Sequence, residues 1–138
     1  MSPSFTVRES GERIDGLAEG IDRAHLDRLK RGRIPVEREV DLHGLERRRA
    51  GLELRVELQE AFEMAERCVL VIHGRGSHSE TGPVLKEALL GWLCEPPLDR
   101  LVMAFASAIP DHGGTGATYV LLRRKRQARR ARGEPRAQ

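Results

Sequence analysis

Two His-Gly pairs stand out in the sequence, Asp41-Leu42-His43-Gly44 and His73-Gly74-Arg75-Gly76. Their residue types are those that phosphodiester chemistry uses. An imidazole exchanges a proton near neutral pH. A neighbouring carboxylate orients it and raises its basicity. An arginine neutralises a phosphate bidentately. Glycines let the backbone approach a ligand and turn N–H groups toward an anion. Asp41 and His43 are two apart on an apolar run, so on a strand they share a face. Asp41 then either orients His43 as a base or bonds nearby backbone amides while His43 fills the edge of the core. His73 is open to three roles: catalytic assistance, phosphate binding, or a structural ring bonded to its turn. With RNA, one imidazole would take the proton of the 2′-hydroxyl and the other would protonate the leaving 5′-oxygen, leaving a 2′,3′-cyclic phosphate. Asp41, His43 and His73 could also form a two-histidine, one-carboxylate metal set. The glycine–arginine loop already supplies charge for a phosphate, so no cofactor is expected.

Such residues must be held by regular elements. Val40–His43 and Cys68–His73 are short apolar runs and predict strands. Between them, from about Glu46 to Arg67, Ala50, Leu54, Leu58, Ala61, Phe62 and Ala65 recur at helical spacing. A strand–helix–strand crossover makes the strands parallel. Both His-Gly pairs then emerge at one edge of the sheet, where open α/β sheets bind ligands. Pro83 suits the first turn of a second helix, with Val84, Leu85, Ala88, Leu89 and Trp92 on its buried face, and Pro96-Pro97 ends it. Strands follow at Leu101–Ala106 and Thr118–Leu122. Gly113, Gly114 and Gly116 between them form either a second wall of the cleft or a plain turn. The order is βαβαββ, with a four-stranded mixed sheet expected.

Residues 1–35 read as an N-terminal extension, disordered to about residue 15, with a short helix over 21–31 ended by Gly32. The domain proper covers 36–125, and 126–138 form a basic tail. The 138-residue chain has a net charge of +3, unevenly spread: from Tyr119 onward eight Lys or Arg, among them Arg123, Arg124, Lys125 and Arg126, face one acid, Glu134. This cluster suits sequence-blind phosphate contact, although a solvated tail would look the same. Few aromatic residues offer no base-stacking platform. Cys68 and Cys94 look like buried hydrophobes of a reducing compartment. No signal-peptide or membrane-spanning pattern is seen, so a cytoplasmic protein without a membrane partner is expected.

Three ordered motifs resemble the Smr (small MutS-related) domain family in its stand-alone bacterial form. Val40-Asp41-Leu42-His43-Gly44 matches the family's LDLHG, His73-Gly74-Arg75-Gly76 its HGxG, and His112-Gly113-Gly114-Thr115-Gly116-Ala117-Thr118-Tyr119-Val120-Leu121-Leu122 its GGxGAxYVxL ending. The resemblance covers about residues 33–125. Thr115 stands where relatives often have Glu. The resemblance implies a two-layer α/β sandwich similar to the C-terminal domain of a bacterial translation initiation factor. It also implies nuclease activity on DNA or RNA, including on the ribosome. On that basis Asp41 and His43 are expected to do the chemistry with His73 assisting. Gly44, Gly74, Arg75, Gly76, Gly113, Gly114, Gly116 and Arg123 to Arg126 are expected to bind substrate. A non-catalytic nucleic-acid or ribosome binding module is the alternative.

Overall fold

A continuously apolar strand needs cover on both faces, and the central segment Cys68–Ile72 obtains it. The computed structural model describes residues 4–75 and 81–125. In chain order the elements are β1 (Phe5–Ser10), β2 (Arg13–Ala18), α1 (Arg23–Lys30), β3 (Arg38–Asp41), α2 (Arg47–Glu63), β4 (Cys68–Ile72), α3 (Gly82–Cys94), β5 (Val102–Ser107) and β6 (Ala117–Leu122). The strands form one sheet in the order β1-β2-β5-β6-β4-β3. Among the described residues only β3 and β4 pair in parallel; the other pairings are antiparallel.

Alternation along the strands sorts the side chains into two cores. Val40, Val69, Val71, Val120 and Leu122 pack under α2 and α3, with Leu54, Leu58, Leu85 and Leu89. Cys68, Leu70, Tyr119 and Leu121 pack on the other face against Leu26 and Leu29 of α1. Leu52 and Val56, off the stripe of α2, are 47% and 63% exposed. Burial pushes the Cys68 thiol up to about 12 and the Cys94 thiol to about 11, so both stay protonated and unreactive.

Two expectations need correction. The sheet has six strands rather than four, because residues expected to be disordered form the β1–β2 hairpin. Ser10 pairs with Arg13 across a two-residue turn in which Gly11 takes φ +61°, the conformation glycine supplies at the first turn position. The architecture also has a third, partial layer, since α1 covers the face opposite α2 and α3. That helix starts on Asp22, whose carboxylate accepts from the Ala24 N–H at 2.9 Å, and ends at Gly32 with φ +67°.

Three close fits hold the site's supports in place. The edge strand β3 is tied to α2 by Arg38, which reaches Glu66 at 2.6 Å and Glu57 at 2.9 Å. Trp92 of α3 lies on Gly51 of α2, where a Cβ would come within 2.9 Å of the indole. Phe105 of β5 lies across Gly16 of β2 and meets Phe5 of β1 with ring centroids 6.2 Å apart.

Candidate functional site

The pairings bring the carboxyl ends of β3, β4 and β5 and the start of β6 to one edge. All three motifs therefore lie along that edge. Asp41 ends β3 opposite Ile72, the last residue of β4. Its Oδ1 accepts from the backbone N–H of His43 at 3.1 Å and lies 2.5 Å from His43 Nδ1. A carboxylate can only accept, so Nδ1 carries the proton and Nε2 presents its lone pair outward. Both side chains are open, at 52% exposed for Asp41 and 67% for His43. Gly44 turns the chain away at φ +78°, with open space where a Cβ would be. The result is a carboxylate-oriented imidazole with its basic nitrogen accessible to a substrate.

His73 has the opposite surroundings. It is fully buried. Its Nδ1 lies 3.1 Å from the Gly74 carbonyl and its Nε2 3.0 Å from Thr118 Oγ1. The carbonyl accepts only, so Nδ1 donates to it and Nε2 accepts from the Thr118 hydroxyl. Burial lowers its pKa to about 4, with the bond to Gly74 opposing and the Lys86 charge adding. His73 is thus neutral at physiological pH and both nitrogens are engaged. It also faces away from His43. Asp41 shares the α1 face with its partner Ile72, whereas His73, one residue further, meets Thr118 on the α2–α3 face. The two imidazoles share an edge but not a cleft. For the same reason Asp41, His43 and His73 do not assemble a metal set, and among the described residues no group of three His, Cys, Asp or Glu is placed to hold an ion.

The glycine loops are interlocked. The N–H groups of His73 and Gly74 both donate to the Gly116 carbonyl, at 3.0 and 2.9 Å. The Gly74 N–H is therefore spent inside the protein and does not face an anion, as its type and position suggest. Gly74 at φ +98°, Gly113 at +111° and Gly114 at +56° allow the turns. Arg75 is exposed, and its side chain lies across Gly116 and Gly114. A Cβ on Gly82 would meet the Gly74 carbonyl at 2.8 Å, so α3 begins hard against this loop. Gly76 and Arg126 lie outside the described residues.

Arg123, Arg124 and Lys125 are not brought to this edge, because β6 runs away from it and they follow its far end. Lys125 pairs with Glu63 at 2.7 Å, and Arg123 is half-buried, its N–H donating to the Leu101 carbonyl. Two contributors escape sequence reasoning. Thr118 fixes the His73 ring through a cross-strand contact that no spacing encodes. The hairpin turn reaches α3, where the Lys86 ammonium donates to the Glu12 carbonyl. Gly11, Glu12, Gly74, Pro83, Lys86 and Thr115 border a cavity of about 340 Å³ there.

Known proteins share this arrangement. The ribosome rescue factor SmrB of Shewanella oneidensis is 37% identical over 106 residues, and that of Shewanella baltica strain OS195 is 36% identical. The match covers 77% of this chain and 56% of those proteins, so the chain spans little more than half their length. The crystal structure of YdaL, a stand-alone small MutS-related protein from Escherichia coli, superposes with a TM-score of 0.64 at 28% identity, covering 88% of this chain and 84% of YdaL. The Smr domain of Thermus thermophilus MutS2 superposes at 0.54 with 36% identity, covering 62% of this chain and 98% of that domain. The Smr domain family profile matches residues 40–123, and the chain belongs to the Smr domain family.

Proposed function

We propose that this chain binds RNA on or from the ribosome and that its Asp41–His43 pair makes it an RNA endonuclease. The ribosomal part rests on the relatives named ribosome rescue factors. The chemical part rests on one observation: an exposed imidazole with Nδ1 held 2.5 Å from a carboxylate, which leaves Nε2 as its basic nitrogen. In this reading His43 Nε2 takes the proton of a 2′-hydroxyl. The freed 2′-oxygen attacks phosphorus, the bond to the 5′-oxygen breaks, and that oxygen takes a proton from water. Asp41 stabilises the imidazolium that forms. Arg75 supplies charge to the phosphate. His73 positions the loop by locking Thr118 and Gly74, and is not the second acid. A ribosome-directed protein of this kind works in the cytoplasm.

The burial of His73 favours a second reading, a binding module without catalysis, because it leaves one imidazole and no side-chain acid for the leaving 5′-oxygen. End-labelled single-stranded RNA, single-stranded DNA and duplex DNA, incubated with and without chelator, separate the two. The nuclease cleaves RNA alone, leaves a 2′,3′-cyclic phosphate, ignores chelator, and loses cleavage but not binding with His43→Ala. Intact RNA at every protein concentration leaves the binding module. Equal nicking of DNA would remove the 2′-hydroxyl route.

A further inference from the structure

The edge of the sheet opposite the Asp41–His43 pair carries a groove of about 760 Å³. It is framed by α1, the segment that follows it, the start of β4 and the end of β6. Among the described residues, Arg28, Arg33, Arg67 and Arg124 line it with His25, and the one acid in the lining is Glu37. Arg67 is fixed in place. Its Nε donates to the Leu122 carbonyl at 2.8 Å and its terminal nitrogen lies 3.2 Å from Met103 Sδ. Burial and then the nearby charge of Arg124 lower its pKa. Glu37 accepts from the Arg67 backbone N–H at 2.8 Å, and its charge offsets part of the positive charge around Arg67. Arg28 donates to His25 Nδ1 at 2.8 Å, so the imidazole adds no charge of its own in that state.

Guanidinium groups gathered around a half-buried arginine repel one another, and an anion between them relieves that repulsion. The fork geometry of arginine fits phosphate oxygens, and the groove is large enough for several. The groove and the pair lie on one face of the sheet: Met103 and Leu121 belong to the α1 face, as does Ile72 beside Asp41. The six residues of β6 separate them, about 20 Å at 3.3 Å per residue. On the α1 face of β3, Glu39 and Asp41 interrupt any continuous basic track. The groove is therefore an anchor apart from the pair, not an extension of it.

We infer that this groove is a second nucleic-acid site, in which Arg28, Arg33, Arg67 and Arg124 hold the phosphate backbone of a strand about one β-strand length from the Asp41–His43 pair. It rests on the RNA-binding half of the proposed function and is independent of cleavage.

The test measures fluorescence anisotropy of labelled oligouridylate and oligothymidylate with the full chain across a salt series. The variants are Arg28→Glu/Arg33→Glu, Arg33→Glu alone and His43→Ala. Each groove charge that meets a phosphate contributes about 0.7 to the slope of log K against log salt. The double variant is expected to bind both strands at least tenfold more weakly and with a flatter slope. Arg33→Glu is expected to fall between, and it keeps the inference testable if the double variant misfolds. Equal weakening of both strands identifies the backbone as the ligand; weakening for oligouridylate alone would overturn backbone recognition. Unchanged affinity and slope in both groove variants would overturn the site. RNA cleavage by wild type and its loss in His43→Ala are scored separately. A groove effect without cleavage removes the nuclease reading alone, and cleavage without a groove effect removes the inference alone.

Discussion

The side chain of Arg75 is packed on Gly116: a Cβ at position 116 would lie 2.9 Å from Arg75 Cγ and 3.3 Å from its backbone nitrogen. The same residue's carbonyl accepts from both His73 and Gly74. One glycine thus carries the arginine on its α-carbon and the loop on its oxygen. The two motifs, some forty residues apart, act as one unit. Gly116→Ala should displace Arg75 and weaken RNA binding about as much as Arg75→Ala does. Overpacking of this kind costs about 1–3 kcal/mol. Urea unfolding and anisotropy on both variants check it, and an alanine at 116 that binds RNA normally would show that Arg75 does not need this seat.

His73 makes stability depend on pH. Unfolded, its imidazole titrates near 6.5; folded, burial holds it to about 4. Between those values the unfolded chain binds more protons, so stability falls as pH drops through that window and is fully present above it. The loss reaches on the order of 3 kcal/mol at its lower end. His73→Gln should flatten the profile between pH 6.5 and about 4 in urea midpoints, after subtraction of the carboxylate contribution seen in both proteins. Thr118→Val, which removes the hydroxyl donor to Nε2, should lower stability by about 1–3 kcal/mol at neutral pH.

Asp41 and His43 are both exposed, so removing either should leave the fold intact. Asp41→Asn replaces the acceptor that fixes the ring. Under the nuclease reading it should cut cleavage by about 10²–10⁴-fold while the thermal midpoint and RNA affinity hold. Single-turnover rates on labelled RNA measure the loss. A rate equal to wild type would mean that the imidazole needs no carboxylate and that the 2.5 Å contact is a surface feature.

Much of this site could be read from residue order, and some could not. The crossover between Val40 and His73 contains its own proof of parallel strands, since a helix of that length returns the chain in the same direction. The common edge of the motifs follows from it. What alternation also implies is less visible: with Asp41 opposite Ile72, His73 must face the other way from Asp41. That depends on register, which no local pattern states. The fate of the Gly74 N–H was hidden for a similar reason, because its acceptor belongs to a distant loop. The hairpin at the N-terminus was legible in principle. Phe5, Val7 and Ile14 flank a glycine turn, but Arg8, Glu9, Ser10, Glu12 and Arg13 crowd the same stretch, so it resembles an unstructured tail. Their stability comes from an aromatic ring on β5 that composition cannot locate.

That ring makes the final prediction. Gly16 and Phe105 are directly paired across β2 and β5, and a Cβ at 16 would fall 2.2 Å from the Phe105 ring. The ring occupies the volume that a side chain would take, which is why a glycine is tolerated inside this strand. Gly16→Val must expel Phe105 from Gly16 and from its contact with Phe5. The hairpin would lose its fastening while β3 to β6 keep their own core. Amide exchange should quicken across residues 5–18 and stay slow at Val69, Val71 and Val120. Because the hairpin turn holds Lys86 through the Glu12 carbonyl, the start of α3 should loosen with it. Uniform quickening across every strand would instead mean that the hairpin is part of one cooperative sheet, and that the third layer and the site edge stand or fall with it.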